Sequence, residues 1–539
     1  MATTRTPTNP RIRRVCREYQ RFLASPLSKG ARVAHPLGDT LVWLCVVGVL
    51  MASGASAQTW RVTPSVAVEE TLTNNVNLVD SAGAKSDFVS QITPGVSIVE
   101  KGARTSLTGT VSVPMLFYAR TGSDNNTVYP TVGLFGKVEA VERLFFIEGA
   151  VNVSQQYLTP FAARPSGLES TTSNRYTAAA YRISPYFKGV TPGDISYELR
   201  DTSTWTRTYQ TQSATSQSYS NEALASLSKN PAPWGWSAEY SRSSIKFPDQ
   251  AALVTQLERA RLIRQIDPQL QISGGAGYEN NHYVFADYRD VTYQFGVRWR
   301  PTERTLVDAD WEHRFFGSSY HFTFDHRTPL SVWTARASRD VTSYPQQLAG
   351  LPAGVDIASY LNQLFQTTIP DPVQRAAFIA QLIQNGGLPL FLSGGVNLFT
   401  QQAIVQQSAS LSFGLLGARN SVFFSAYRLR SEPVRGASEP VSGSLGAHDN
   451  NSQTGGGIAW TYKLTPSLSL NTTADVLRTV SNPPQVGKTT QNIVRTTLTS
   501  PVAPNTTAYV GARYQHLKSD VATNYNEVAV LVGLVHTFH

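Results

Sequence analysis

From Trp60 to Phe538 the chain repeats one unit, a run of about 10 to 14 residues in which apolar and polar positions alternate, followed by a break rich in Gly, Pro, Asn, Asp or Ser. In "VTYQFGVRWR", Tyr293, Phe295, Val297 and Trp299 alternate with Gln294, Gly296, Arg298 and Arg300. "WGWSAEYSR" does the same with Trp234, Trp236, Ala238 and Tyr240. Period two means a strand with one greasy face. The chain closes on the clearest case, "NYNEVAVLVGLVHTFH", with Val528, Val530, Val532, Leu534 and Phe538 on one side and Glu527, Ala529, Gly533 and Thr537 on the other.

The breaks have their own rhythm. Short ones, such as 101–103, 267–269, 301–305, 417–420 and 465–467, take turns with long polar ones at 73–86, 158–170 and 431–450. Outer-membrane barrels combine short periplasmic turns with long outer loops. The pattern therefore predicts an all-β fold, a transmembrane antiparallel β-barrel of about 22 strands within a range of roughly 16 to 24. The stretch "AALVTQLERARLIRQ" fits a strand least well, because its spacing also suits a helix. A periplasmic array of β-sandwiches would need domain linkers, and the chain shows no linker of that kind.

The first residues change the compartment. A long basic region holding Arg5, Arg11, Arg13, Arg14, Arg17, Arg21 and Arg32 precedes the apolar run Leu41 to Ala52 and the small residues "SGASA". This reads as a signal peptide over 1–57, leaving the barrel as 58–539. Both cysteines, Cys16 and Cys45, lie in the removed part. No disulfide or thiolate chemistry is then expected in the exported chain. The segment also carries eight basic and two acidic residues, so only about +3 of the formal +9 charge remains. Nucleic-acid binding loses its compositional argument. Plentiful Tyr, Phe and Trp with only 15% charged residues suit a wall with aromatic girdles.

One segment breaks the strand pattern. Residues 354–387 read as two helices inside a long outer loop, 341–400. Asp356 is a candidate cap for the first, and Asp371 followed by Pro372 is a start signal for the second. Phe378, Leu382 and Ile383 form a stripe at helical spacing that has to be buried against something. A candidate gate follows, with Asp371, Arg375 and Phe378 at or near the lumen; a rim decoration is the other reading.

Candidate chemistry is sparse. G-x-S-x-G, H-E-x-x-H, P-loop and calcium-loop motifs are all missing, so neither an enzyme nor a cofactor or metal site is expected. His321 and His326 have the wrong parity to share a strand face. The densest polar cluster lies in one hairpin, where Asp308, Asp310, Glu312 and Arg314 share a face of "LVDADWEHRF". Matching lumen to lumen around the turn at 301–305 sets Arg298 opposite Asp308 and Gly296 opposite Asp310, with Arg300 nearby. Charge on the lipid face is costly. These groups should meet inside the barrel, as a structural ladder or as a constriction that sorts solutes.

The chain resembles the outer-membrane β-barrel proteins associated with the PEP-CTERM/exosortase system of Gram-negative bacteria. The likeness rests on "WRVTPSVAVEETLTNNVNL", "FDHRTPLSVWTARASRDVTS", "PDPVQRAAFIAQLIQNGGLP" and "GLLGARNSVFFSAYRLRSE", and it spans essentially 58–539. It departs from the common barrel ending in carrying His539 after Phe538. The resemblance implies an integral barrel in the bacterial outer membrane, working beside exopolysaccharide assembly. The expected partners are outer-membrane lipid, the barrel assembly machinery reading Val532, Leu534 and Phe538, and exopolysaccharide with its periplasmic export components. The leading expectation is an export channel or accessory conduit. A non-conducting docking barrel for surface polymer or sorted proteins and a general diffusion porin are the alternatives.

Overall fold

The computed structural model describes residues 59–209, 216–248, 250–283, 286–349, 402–434, 450–482 and 487–538, together with 355–356, 362, 391–392 and 400. Residues 1–57, read above as a signal peptide, lie outside the described residues. One antiparallel sheet holds 24 strand segments and closes on itself as a barrel of 22 wall strands, because two walls are each split in two. Thr105–Ser112 and Met115–Tyr118 both pair with Asp87–Lys101, and Thr127–Val128 and Thr131–Val141 pair back onto them. The breaks fall at Pro114 and Pro130. Proline has no N–H to give the ladder. Val113 and Tyr129 carry the hairpin across the gap by donating to the carbonyls of Pro94 and Pro114, each at 3.0 Å.

Closure joins the first strand, Thr59–Thr73, to the last, Tyr525–Thr537, from Ser65↔Thr537 to Thr73↔Ala529. Tyr509 reinforces this seam. It lies across Gly533, where a Cβ would sit 2.2 Å from the phenol ring, and donates at 2.6 Å to Glu69 on the first strand. Only glycine lets one side chain bridge three strands here. The stretch least certain from sequence, Leu253–Gln265, is an ordinary wall strand. Its helical spacing lost to register, since both neighbours pair with it along almost its whole length.

Both barrel termini lie at one end, and every connection there is 2 to 5 residues long. The other end carries the long connections, including 74–86, 158–174, 343–403 and 434–450. In an outer-membrane barrel the short turns are periplasmic and the long connections extracellular. Asp194 and Asn505, at φ of 58° and 59°, make two of the tight turns, as Asp and Asn do more cheaply than other side chains.

The alternation sorts the faces. On the last strand Val528, Val530, Val532 and Leu534 are exposed outward, while Glu527, Ala529 and Leu531 are buried inside. Trp60, Val62, Val68 and Leu72 continue the outward apolar face on the first strand, and Tyr293, Phe295, Trp299, Ile458, Val494 and Val510 carry it round the wall. A closed sheet with a greasy exterior and a polar interior satisfies every ladder hydrogen bond within a bilayer. The protein is a bacterial outer-membrane β-barrel. Among the described residues no helix is long and apolar enough to cross a membrane.

Candidate functional site

The lumen is lined by ions that neutralise one another. Arg298 lies opposite Asp308 and Gly296 opposite Asp310, the register that the alternation predicts. The Arg298 guanidinium reaches Asp308 at 2.7 Å. Asp310 instead passes over Gly296 to Arg261 at 2.7 Å, using the space a side chain at 296 would fill. Glu312 faces Arg259 at 3.5 Å. Arg314 is the most enclosed: it donates to Glu279 at 2.9 Å and to Asp340 at 2.6 Å, and Glu279 also accepts the Phe315 N–H at 2.6 Å. Arg300 makes no ion pair among the described residues and sits near the periplasmic turn.

The ladder is therefore wider than the one hairpin. Arg259, Arg261, Glu279 and Asp340 belong to it, and the sequence reading missed them. Their signal was present in "LERARLIRQ", where Arg259 and Arg261 alternate with outward-facing residues, but it stayed hidden while a helix remained open for that stretch. A second cluster lies elsewhere on the wall, where Arg200 bridges Glu148 at 2.9 Å and Glu198 at 2.7 Å with its guanidinium 3.8 Å above the Tyr186 ring. Arg298 is half exposed, so its pair contributes little to stability. Arg298→Asp is expected to leave folding intact and shift single-channel preference toward cations, and the reciprocal Arg298→Asp/Asp308→Arg swap to restore the original preference. An unchanged reversal potential in the single variant would remove the pair from the permeation path.

The lumen is entered by a connection that reads from the sequence as one of the long polar outer loops. The only internal candidate then was 354–387; the structure shows another. Residues 158–174 leave the fifth wall strand, Phe145–Tyr157, turn inward, and reach the inner face of the nineteenth to twenty-second strands. Four inner-face side chains hold them there. Thr479 donates to the Pro160 carbonyl at 3.2 Å, Thr489 to Phe161 at 3.0 Å and Gln491 to Arg164 at 2.8 Å, while Gln515 accepts from the Ser166 N–H at 3.3 Å. The near end is stapled by Arg175, whose guanidinium donates to the carbonyls of Gly167 at 2.6 Å and Leu168 at 2.8 Å.

An ionic clasp fixes the centre. Arg513 pairs with Glu169 of the loop and, at 2.6 Å, with Glu527 of the last strand. Thr73 and Gln515 donate to the same Glu527 carboxylate at 2.8 and 3.1 Å. All three ions are almost fully buried. Burial pushes the Glu169 carboxyl up, but the Arg513 guanidinium outweighs it and holds the group below the usual carboxylate range. Residues this polar, this enclosed and this well paired hold one geometry or fail together.

The longest connection begins by entering the lumen as well. Ser343 donates both its backbone N–H and its hydroxyl to the Gln346 side-chain oxygen, at 3.0 and 2.9 Å, at the start of a short helix, Tyr344–Ala349. Tyr344 and Leu348 pack on Tyr176 and Ala178, and Gln346 donates at 3.2 Å to Glu222. Those partners belong to the sixth and eighth wall strands, yet Tyr344 stands only two residues beyond the fifteenth, Ser331–Thr342. Two residues reach about 7 Å. The barrel is pinched at its extracellular end.

Farther along, Val355–Asp356 pairs with Phe391–Leu392, which ties the two ends of the insertion together. Asn362 is helical. Asp371, Arg375 and Phe378, the candidate gate residues, lie outside the described residues. Val532, Leu534 and Phe538 all face outward on or beside the closing strand. Among the described residues no group of His, Cys, Asp and Glu is placed to hold a metal ion.

No protein-family model matches the chain, and no curated protein sequence matches it. Solved structures do. The siderophore receptor PirA from Pseudomonas aeruginosa is similar at 10% identity over 90% of this chain and 81% of its own, with a TM-score of 0.43. The FrpB iron transporter from Neisseria meningitidis is similar at 8% identity over 88% and 81%, with a TM-score of 0.48. OpdO from Pseudomonas aeruginosa is similar at 10% identity over 89% and 98%, with a TM-score of 0.32.

Proposed function

We propose that this barrel is a gated conduit for exopolysaccharide export, closed at its extracellular mouth by the 158–174 loop and the start of the 343–403 connection. The observation that carries the reading is the Glu169–Arg513–Glu527 clasp, because it ties the centre of an inward-folded loop to the closing strands through an exchangeable ionic contact. Polar latches of this kind can exchange partners with a hydroxyl-rich chain. The rest of the inner wall is of a kind that suits such a cargo, built of hydroxyls and amides such as Thr204, Thr206, Ser218, Gln294, Gln453 and Asn471. Apart from Arg300 the ions of the ladder described above are paired, so that stretch of the lumen offers hydrogen bonds without a dominant charge. Resemblance to barrels of the PEP-CTERM/exosortase system supplies the choice of glycan. An export leader over 1–57 belongs to the same reading.

The test is paired. Purified wild-type barrel in planar bilayers is expected to show low conductance with brief openings, and a strain lacking the protein is expected to lose most secreted polysaccharide while retaining uptake of small solutes. Full secretion in the deletion strain would remove the export role. Normal secretion loss with no opening under any condition would instead favour a docking barrel.

A further inference from the structure

The outward face carries a feature that neither the lumen nor its closure uses. Along one line of register across five adjacent strands stand Arg428, Thr454, Arg478, Thr490 and Lys518. All lie on the same outward face as Phe424, Ile458, Val476, Val494 and Tyr514, the exposed apolar band, and all sit within the last few residues of the extracellular end of their strands. Neither Arg428 nor Arg478 has a carboxylate partner among the described residues. On these five strands Glu432 is the one outward carboxylate, and Arg430 holds it. Lys488 adds a further outward cation beside Val480, and Asp520 lies in the connection beyond Lys518.

Between the two arginines the wall is hollowed. Gly456, which places no side chain on this face, leaves a depression of about 540 Å³ lined by Arg428, Arg478, Ser452, Thr454, Val476 and Val480. The two arginines stand two strands apart, their backbones roughly 10 Å from each other at ordinary strand spacing. Uncompensated cations on a lipid-facing wall cost about 2–4 kcal/mol at the midplane and about 0–1 near the interface. They belong at headgroup depth. A guanidinium presents a fork of donors matched to phosphate, the Ser452 and Thr454 hydroxyls suit sugar or phosphate oxygens, and Val476 and Ile458 continue downward along the path of acyl chains.

We propose that Arg428 and Arg478 form a binding site for a phosphorylated lipid headgroup of the outer leaflet, with the lipid tails lying on the apolar wall below. The test uses the purified full-length barrel in detergent and native mass spectrometry with three probes: a diphosphorylated lipid A, the same lipid dephosphorylated, and inorganic phosphate. Wild type is expected to retain the diphosphorylated lipid. Arg428→Gln and Arg478→Gln are each expected to weaken retention about tenfold, while Arg298→Gln in the lumen leaves it unchanged.

Both arginines are exposed and make no ion pair among the described residues, so the variants should keep normal heat-modifiable migration. Should the double Gln variant not assemble, Arg428→Lys/Arg478→Lys keeps the charge but loses the fork, and partial retention is expected. Equal retention by wild type and a folded variant would overturn the proposal. So would equal retention of the dephosphorylated lipid, or displacement by inorganic phosphate at concentrations comparable to the lipid, which would make this a free-anion site.

Discussion

Arg513→Ala is expected to produce a barrel that is easier to unfold and a lumen that stays open. Removing the guanidinium leaves Glu169 and Glu527 buried without the partner they share. Breaking a buried pair by deleting one partner costs about 3–5 kcal/mol. Glu169→Gln is the gentler cut: Arg513 keeps Glu527, and the loop loses its ionic contact while its other hydrogen bonds stay. The Arg513 variant should lose heat-modifiable migration at a clearly lower temperature, while the Glu169 variant loses less stability and shows a several-fold rise in conductance. The pH dependence has a definite sign. A carboxyl depressed in the folded state contributes stability that is present above the ordinary glutamate range and lost as pH falls through the folded value. Wild type should therefore remain closed from neutral pH down to mildly acidic conditions and open only below the usual range for glutamate. Glu169→Gln should show no such transition, and an identical acid-induced opening in that variant would place the titrating group elsewhere.

Val532→Asp/Leu534→Asp is expected to abolish assembly. Both side chains point to lipid, with 54% and 42% of their surface exposed, on the strand that closes the barrel. Val532 pairs across the seam with Glu70, and Leu534 with Val68. Each carboxylate near the middle of the bilayer costs up to about 2 kcal/mol, and here both fall on the strand that closes the barrel. The measurement is the fraction of protein that migrates as folded barrel and is protected from protease in outer-membrane fractions. Substituting the inward Ala529 by Ser offers a control, since that face is already polar around Glu527. Normal assembly of the double variant would mean that this strand is not in contact with lipid.

The architecture was legible in the residues because a barrel wall has only one rule per position. Side chains alternate between lipid and lumen, so Val528 to Leu534 announce their face without reference to any neighbour, and Arg298 could be set against Asp308 by parity and turn length alone. Strand count and the sidedness of the connections follow from the same local regularity. Tertiary structure decided what parity cannot express. That Asp310 crosses Gly296 to Arg261, rather than pairing next door, depends on the empty volume above a glycine. That 158–174 enters the lumen depends on partners more than 300 residues away in the chain, Thr479, Thr489 and Gln491. Contacts of that kind leave no period in the sequence: Glu169 reads as one more polar residue of an outer loop until the closed barrel brings Arg513 to it.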